Sequence, residues 1–410
     1  MGALAHRIRL GWKGVRNFLS QGMIDPLPVR YALKGYTPLK AGKDMKAALD
    51  VALVGLPQGM AFAAMAGLDS IYGIMAATVG TFIAPLFTRC GLTVSGPSNA
   101  TAFMLASFFL ASSPAIQAHP AVFVPLIVFL AGVTCVIGAF VKATEMLQFV
   151  SRSVLVGYIT GAATLIIASQ LRYVLGINDV NAGSSFFTMS GAIINNLHLV
   201  QWQPIVLGVL SFLMFIPLKK HFKFLPTFAI ILLTMSILNA ILCQPWAGGT
   251  FTGVRMLKDF TMSDLTCRPP DITAIAGNFA ELFPVVIGIA FLSTLEQTVM
   301  SKTLSAKTGE PVNLNQDTFA VGMANIGSAF TTSLPCSASL TRSMLNYTAG
   351  AATRFSGIYC GLMCLGITFI LASFPLISKI PHSVLAALVL ANAVSLYDRK
   401  LLRICFRSTP

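Results

Sequence analysis

Thr93-Val94-Ser95-Gly96-Pro97-Ser98-Asn99-Ala100-Thr101 sets a short β-prone stretch and a Gly-Pro pair ahead of a helix-forming run, in the middle of an apolar region. Ser98 or Asn99 can cap the helix that follows, and Pro97 fits its first turn. The same design returns late in the chain as Thr331-Thr332-Ser333-Leu334-Pro335-Cys336-Ser337-Ala338-Ser339-Leu340-Thr341-Arg342-Ser343. Two helices that begin inside the apolar zone, at corresponding places of two halves, point to the central site of a transporter. A helix start carries unpaired N–H groups and a partial positive charge, so it can receive an anion. On this reading Ser95, Gly96, Ser98 and Asn99 line one side of the site. Arg342 adds a permanent cation on the other, unless it snorkels to the interface.

Two more polar stretches fall inside apolar spans. In Gly55-Leu56-Pro57-Gln58-Gly59-Met60-Ala61-Phe62, a proline and two glycines interrupt the first span, and Gln58 and Phe62 share one helix face. This reads either as a kink, with Gln58 bonded to a freed carbonyl, or as part of the site. In Phe291-Leu292-Ser293-Thr294-Leu295-Glu296-Gln297-Thr298, Glu296 is the acidic residue placed deepest in an apolar span. A carboxylate there either pairs with a cation such as Arg342 or carries a proton, which makes it a coupling candidate. The alternative is a static ion pair.

Composition places these motifs in a bilayer. Of 410 residues, 55% are hydrophobic and 10% charged, and the mean hydropathy is +0.76; a soluble domain carries about 25% charged residues. Apolar runs give twelve candidate spans, near 46–66, 70–88, 95–113, 119–141, 152–175, 203–218, 224–243, 275–300, 316–333, 336–348, 355–376 and 381–397. The expected class is an all-α polytopic membrane protein.

The net charge of +14 raises the question of nucleic acid, and the placement of the 28 Lys and Arg residues answers it. Alternating from a cytoplasmic N-terminus, 22 fall inside, five (Arg172, Arg255, Lys258, Arg268, Lys379) fall outside, and Arg342 lies within a span. That segregation is a topology signal: both termini are expected in the cytoplasm of a plasma (inner) membrane protein, with no nucleic-acid partner. The opening is basic and broken by Pro26 and Pro28, so no cleaved signal is expected. The eight cysteines form no CxxC or Cys/His ligand cluster and read mainly as small packing residues. Cys243 and Cys267 flank an external loop where a disulfide could form. With the five histidines scattered at span ends, no metal, no cofactor and no nucleophile–base pair is expected, hence no enzyme.

In order and spacing, Leu56-Pro57-Gln58-Gly59-Met60-Ala61-Phe62-Ala63, Val94-Ser95-Gly96-Pro97, Asn325-Ile326-Gly327, Ser339-Leu340-Thr341-Arg342-Ser343 and Gly350-Ala351-Ala352-Thr353 resemble the sulfate permease family. Its members are relatives of the vertebrate solute carrier 26 anion transporters. The resemblance implies an inverted repeat of seven plus seven segments, in which a core domain slides against a gate domain as an elevator. Carried over by position, 1–45 is a cytoplasmic segment, 46–142 and 274–376 are core (segments 1–4 and 8–11), and 143–273 and 377–410 are gate (segments 5–7 and 12). The anion would sit between the facing N-termini of segments 3 and 10. Gln58 and Phe62 match the family's first-segment contacts, and Ser339, Leu340, Thr341 and Arg342 match its tenth-segment ones. Glu296 falls where members place an acidic residue linked to cation coupling.

Two departures stand out. Members continue through segments 13 and 14 into a STAS domain, whereas this sequence ends at Phe406-Arg407-Ser408-Thr409-Pro410, so the second repeat reads as incomplete. Members are commonly dimeric, and a homodimer of this chain is expected to be weaker than usual. Sodium-coupled bicarbonate members place a hydroxyl residue one turn after the acidic residue of segment 8; here that position is Met300. The expected function is therefore proton-coupled secondary transport of a small anion, sulfate first. The alternative on the same scaffold is a bicarbonate or dicarboxylate transporter or exchanger. A different class is a channel-like or non-transporting anion sensor.

Overall fold

The computed structural model describes residues 24–147, 152–177, 186–221, 227–243, 254–374 and 377–395. In chain order its main helices are α1 (Pro38–Met65), α2 (Ser70–Phe87), α3 (Asn99–Ala111), α4 (Pro120–Phe140), α5 (Arg152–Val174), α6 (Phe186–Asn195) and α7 (Trp202–His221). They continue as α8 (Thr227–Leu242), α9 (Phe279–Thr308), α10 (Leu314–Ala329), α11 (Leu340–Thr348), α12 (Phe355–Ser373) and α13 (His382–Ser395). Strand β1 (Ser95–Pro97) precedes α3, and β2 (Cys336–Ala338) precedes α11. Among the described residues, five helices are long and apolar enough to cross a membrane unaided: α1, α2, α4, α9 and α12.

Each expected span corresponds to a helix, with three corrections. First, the all-α expectation has an exception: β1 and β2 pair antiparallel, Ser95 with Ala338, Gly96 with Ser337 and Pro97 with Cys336. Pro97 is thus the last residue of a strand and not the first turn of α3, because Ser98, in extended conformation, is the cap. Second, Pro57 lies inside one continuous helix: α1 runs through it, since neighbouring helices can hold a proline-containing turn in place within a bundle. Third, α6 had no counterpart among the candidate spans; its ten residues reach only about 15 Å and cannot cross.

Close backbone approach holds the bundle together. Without a hydrophobic drive between helices in lipid, packing relies on small residues at the contacts. Where α1 meets α2, a Cβ on Gly73 would lie 1.8 Å from the Gly59 carbonyl oxygen, so the two glycines let the backbones touch. Where α4 meets α10, a Cβ on Gly132 would lie 2.8 Å from the Gly322 oxygen. Helices α1, α2, α9 and α10 pack on the β1–β2 ribbon, with α4 behind them on α9 and α10 and α12 on α1 and α2, while α5 and α7 pack on α13, and α8 packs on α7 and α1.

The segment after α8 is fastened at both ends. Leu257 N–H donates to Ile380 O (3.0 Å) and His382 N–H to Arg255 O (2.9 Å), while Arg268 N–H reaches Phe330 O (2.9 Å) at the end of α10. Cys243 and Cys267 are both exposed and no disulfide joins them, whereas Cys90, Cys135, Cys336, Cys360 and Cys364 are buried as packing residues. Cys405 lies outside the described residues.

Candidate functional site

The ribbon explains why two helix starts face each other. Strand β1 leads into α3 and β2 into α11, and the strands are antiparallel, so the helices leave from opposite ends of a ribbon about 10 Å long. Both N-termini are directed back at the ribbon. With thirteen and nine residues, α3 and α11 extend about 20 and 14 Å, each less than a full crossing. Each has a hydroxyl cap: Ser98 Oγ accepts from Thr101 N–H (3.3 Å), and Ser339 Oγ accepts from Arg342 N–H (3.4 Å).

A two-stranded ribbon in a bilayer exposes edges that water cannot satisfy, and side chains from four elements close them. Thr81 Oγ1, just after a π-helical turn at Ala76–Gly80 of α2, donates to Ser95 O (2.6 Å). Thr101 Oγ1 donates to Pro335 O (3.1 Å). On α10, the Asn325 carboxamide acts as a third strand: Nδ2 donates to Cys336 O and Oδ1 accepts from Cys336 N–H, both at 2.8 Å. Arg342 closes the last edge by donating from Nη2 to Pro97 O at 2.8 Å.

Arg342 does not snorkel. It is 1% exposed, its aliphatic stem lies against Gly55 of α1, and its head lies against Gly96 of β1. Its Nε and Nη1 are buried without a hydrogen-bond partner. A guanidinium cannot shed its charge, so two of its donor groups are left unpartnered beside β1, in the first turn of α11. Asn99 Oδ1, in the first turn of α3, is likewise unpartnered.

The other expected residues divide into two groups. Gln58 and Phe62 are buried on α1, the helix that also packs on α3 and α11. Ser95 and Ser98 are buried, while Leu340 and Thr341 are exposed, so their contribution is the backbone of the α11 start. Glu296 is half-buried on α9 and accepts a short hydrogen bond from Ser337 Oγ of β2. Among the described residues it forms no ion pair with Arg342; the two groups each bond to the ribbon, Glu296 at Ser337 and Arg342 at Pro97 O.

Sequence reading missed the supports. Asn325 stood in a matched tripeptide, but nothing local shows that its amide faces a strand. Asp317 was passed over as part of an apolar span; it is fully buried and accepts from Thr88 Oγ1 (2.7 Å), Arg89 N–H (2.7 Å), Cys90 N–H (3.0 Å) and Ser301 Oγ (2.7 Å), fixing the loop that enters β1. Asp44 does the same for the loop after α11, accepting from Ala352 N–H (2.7 Å) and Thr353 N–H (2.9 Å). Their signal was an acidic residue at the end of an apolar run. Asn325→Leu is expected to leave two buried backbone groups unpaired, at about 1–3 kcal/mol each. Thermal unfolding in detergent, with hydrogen exchange at Cys336, measures that loss; unchanged protection would show that β2 does not need Asn325.

Comparison with known proteins follows from this geometry. The model of the "Sulfate permease family" matches residues 42–407. A Mycobacterium tuberculosis (strain CDC 1551 / Oshkosh) relative that carries a sulfate-transporter name is 28% identical over 357 residues, covering 87% of this chain and 61% of the relative. The chain spans about half to two thirds of the length of the curated relatives it matches. In fold it is similar to the transmembrane domain of the cyanobacterium bicarbonate transporter BicA, with a TM-score of 0.81 at 17% identity over 90% of this chain and 92% of that one. It is similar also to the murine Solute Carrier 26 family member A9 anion transporter in the inward-facing state, with a TM-score of 0.80 at 18% identity over 93% of this chain and 65% of that one. At these identities the two structures speak for the fold alone.

Proposed function

The chain belongs to the sulfate permease family, and from that premise we propose that it is a secondary active transporter of a small anion, sulfate first. It is an integral multi-pass membrane protein of all-α architecture apart from the ribbon. The observation that carries the reading is the buried Arg342, with Nε and Nη1 unpartnered where two helix N-termini converge. Charge-assisted hydrogen bonds from the guanidinium and free backbone N–H groups suit a divalent oxyanion, which presents acceptors in every direction. Ser339, Leu340, Thr341 and Arg342 would hold it from α11, Ser95, Gly96, Ser98 and Asn99 from the β1–α3 junction, and Gln58 and Phe62 from α1.

Coupling in this proposal runs through Glu296. Its Ser337 partner belongs to the ribbon, so a change in the charge of Glu296 acts directly on the strand that opens α11. Proton coupling is favoured over sodium because the position one turn on, Met300, is buried in an apolar cluster with Leu304, Cys90, Leu92 and Ala338. A thioether among aliphatic groups is a poor ligand for a hard cation. For the motion, we assign α1–α4 and α9–α12 to a sliding core and α5, α7, α8 and α13 to the gate, both termini being cytoplasmic; the separate packing of α5, α7 and α13 supports this division.

The test is uptake by the purified protein in proteoliposomes with the outside more acidic than the lumen. Labelled sulfate is expected to accumulate, and collapse of the pH gradient to stop it. Accumulation of bicarbonate or fumarate in preference to sulfate would reassign the substrate, and no gradient-driven uptake of any anion would overturn the transport reading.

A further inference from the structure

The stretch that leads into α1 has a surface that the anion site does not use. Between Asp25 and Leu49, Leu33 is 62% and Leu39 73% exposed, and Leu27, Tyr31, Met45 and Leu49 are also large exposed apolar residues. The cations Arg30, Lys34, Lys40, Lys43 and Lys46 are exposed among them. The acidic residues nearby do not cancel this charge. Asp25 is taken by Arg30 (3.3 Å), Asp44 is fully buried, and Asp50, one turn further along α1, is half-buried.

This surface is held in place. At its start, Asp25 N–H donates to Gln316 Oε1 (2.7 Å) and Gln316 Nε2 donates back to Asp25 O (3.0 Å), which fastens the segment to the first turn of α10. Further along, the Tyr36 ring packs on Phe355 with centroids 4.5 Å apart, and its hydroxyl bonds to Asp44 (3.2 Å) and Tyr359 (3.3 Å). Between these anchors the chain forms an arch whose outer side is Arg30, Tyr31, Leu33 and Lys34.

Exposed leucines interleaved with cations, at the end of a helix where it leaves the apolar zone, suit the boundary between headgroups and acyl chains. We propose that residues 26–46 form a docking surface for anionic phospholipids of the adjoining leaflet, with Lys34, Lys40 and Lys43 on the headgroups and Leu33 and Leu39 below them. Charge complementarity selects this occupant: among the described residues Lys34, Lys40, Lys43 and Lys46 are exposed outside any ion pair, and the apolar side chains between them would be unfavourable against a purely polar partner. Because the arch is fastened to α10 and α12, lipid held there bears on the helices that carry Asn325 and pack around the ribbon. The inference does not depend on the transport reading.

The experiment uses the full chain in nanodiscs, with phosphatidylglycerol or phosphatidylcholine carrying a photoreactive headgroup, and mass spectrometry of the labelled peptides. A cation near such a surface contributes about 1 kcal/mol, which is about fivefold. Residues 26–46 are therefore expected to be labelled at least about fivefold more by phosphatidylglycerol than by phosphatidylcholine. The preference should shrink as salt rises. In the K34Q/K40Q/K43Q variant it should fall at least several-fold, with labelling elsewhere in the chain unchanged. Equal labelling by the two lipids in the unaltered protein, a preference that ignores salt, or a segment that no lipid labels would overturn the proposal.

Discussion

Arg342→Ala is expected to weaken sulfate binding by about two orders of magnitude or more. The two unpartnered guanidinium donors can each supply a charge-assisted hydrogen bond of about 1.5–3 kcal/mol, and about 1.4 kcal/mol corresponds to a factor of ten. The substitution also frees Pro97 O, which Arg342 Nη2 now satisfies, so stability and binding must be separated. Sulfate titration calorimetry, run beside thermal unfolding with and without sulfate, does so, because an anion that binds only the folded state raises Tm with the logarithm of its concentration over Kd. Arg342→Lys sharpens the test. It keeps the charge, but an ammonium offers a single point where the planar guanidinium reaches Pro97 O and still presents two further donors. It should hold the fold yet bind sulfate far more weakly than the unaltered protein. Full affinity in the alanine variant would remove Arg342 from the site.

Glu296→Gln carries the second large effect, on coupling. The carboxamide oxygen can still accept from Ser337 Oγ, so the ribbon and the start of α11 keep their geometry. What disappears is the ability to gain and lose a proton. Sulfate binding is therefore expected to stay within a few-fold of the original while uptake ceases to respond to outside acidification. Initial rates across a series of outside pH values, at fixed lumen pH, show this as a flat profile in place of one that rises toward acid. An unaltered profile would place the coupling group elsewhere, and lost binding would make Glu296 part of the anion's own surroundings. Because Glu296 and Arg342 meet through the ribbon and not as an ion pair, the two variants should separate binding from coupling.

Much of the site was legible before any coordinates, for a local reason. A cap such as Ser98 or Ser339 acts on N–H groups two or three residues away, so the start of α3 or α11 is written in a few consecutive residues. Apolar runs are equally local, which is why each of the twelve spans coincides with a helix, though α1 begins and α9 ends eight residues beyond the apolar run. The reading that failed depended on what lies opposite: Pro97 looked like a helix residue until its strand partner Cys336 was known.

The sequence by itself determined that this chain lives in a bilayer, where its helices begin, and that a cation and a carboxylate lie within its apolar spans. Only the tertiary structure decided how these parts serve one another. The ribbon joins residues some 240 positions apart, and the bond from Arg342 to Pro97 O spans 245. Asn325 and Asp317 became supports of the site because a strand and a loop happened to face them. In a medium without water every buried backbone group must find a partner, and which side chain supplies it is set by packing across the bundle, a quantity that no stretch of neighbouring residues contains.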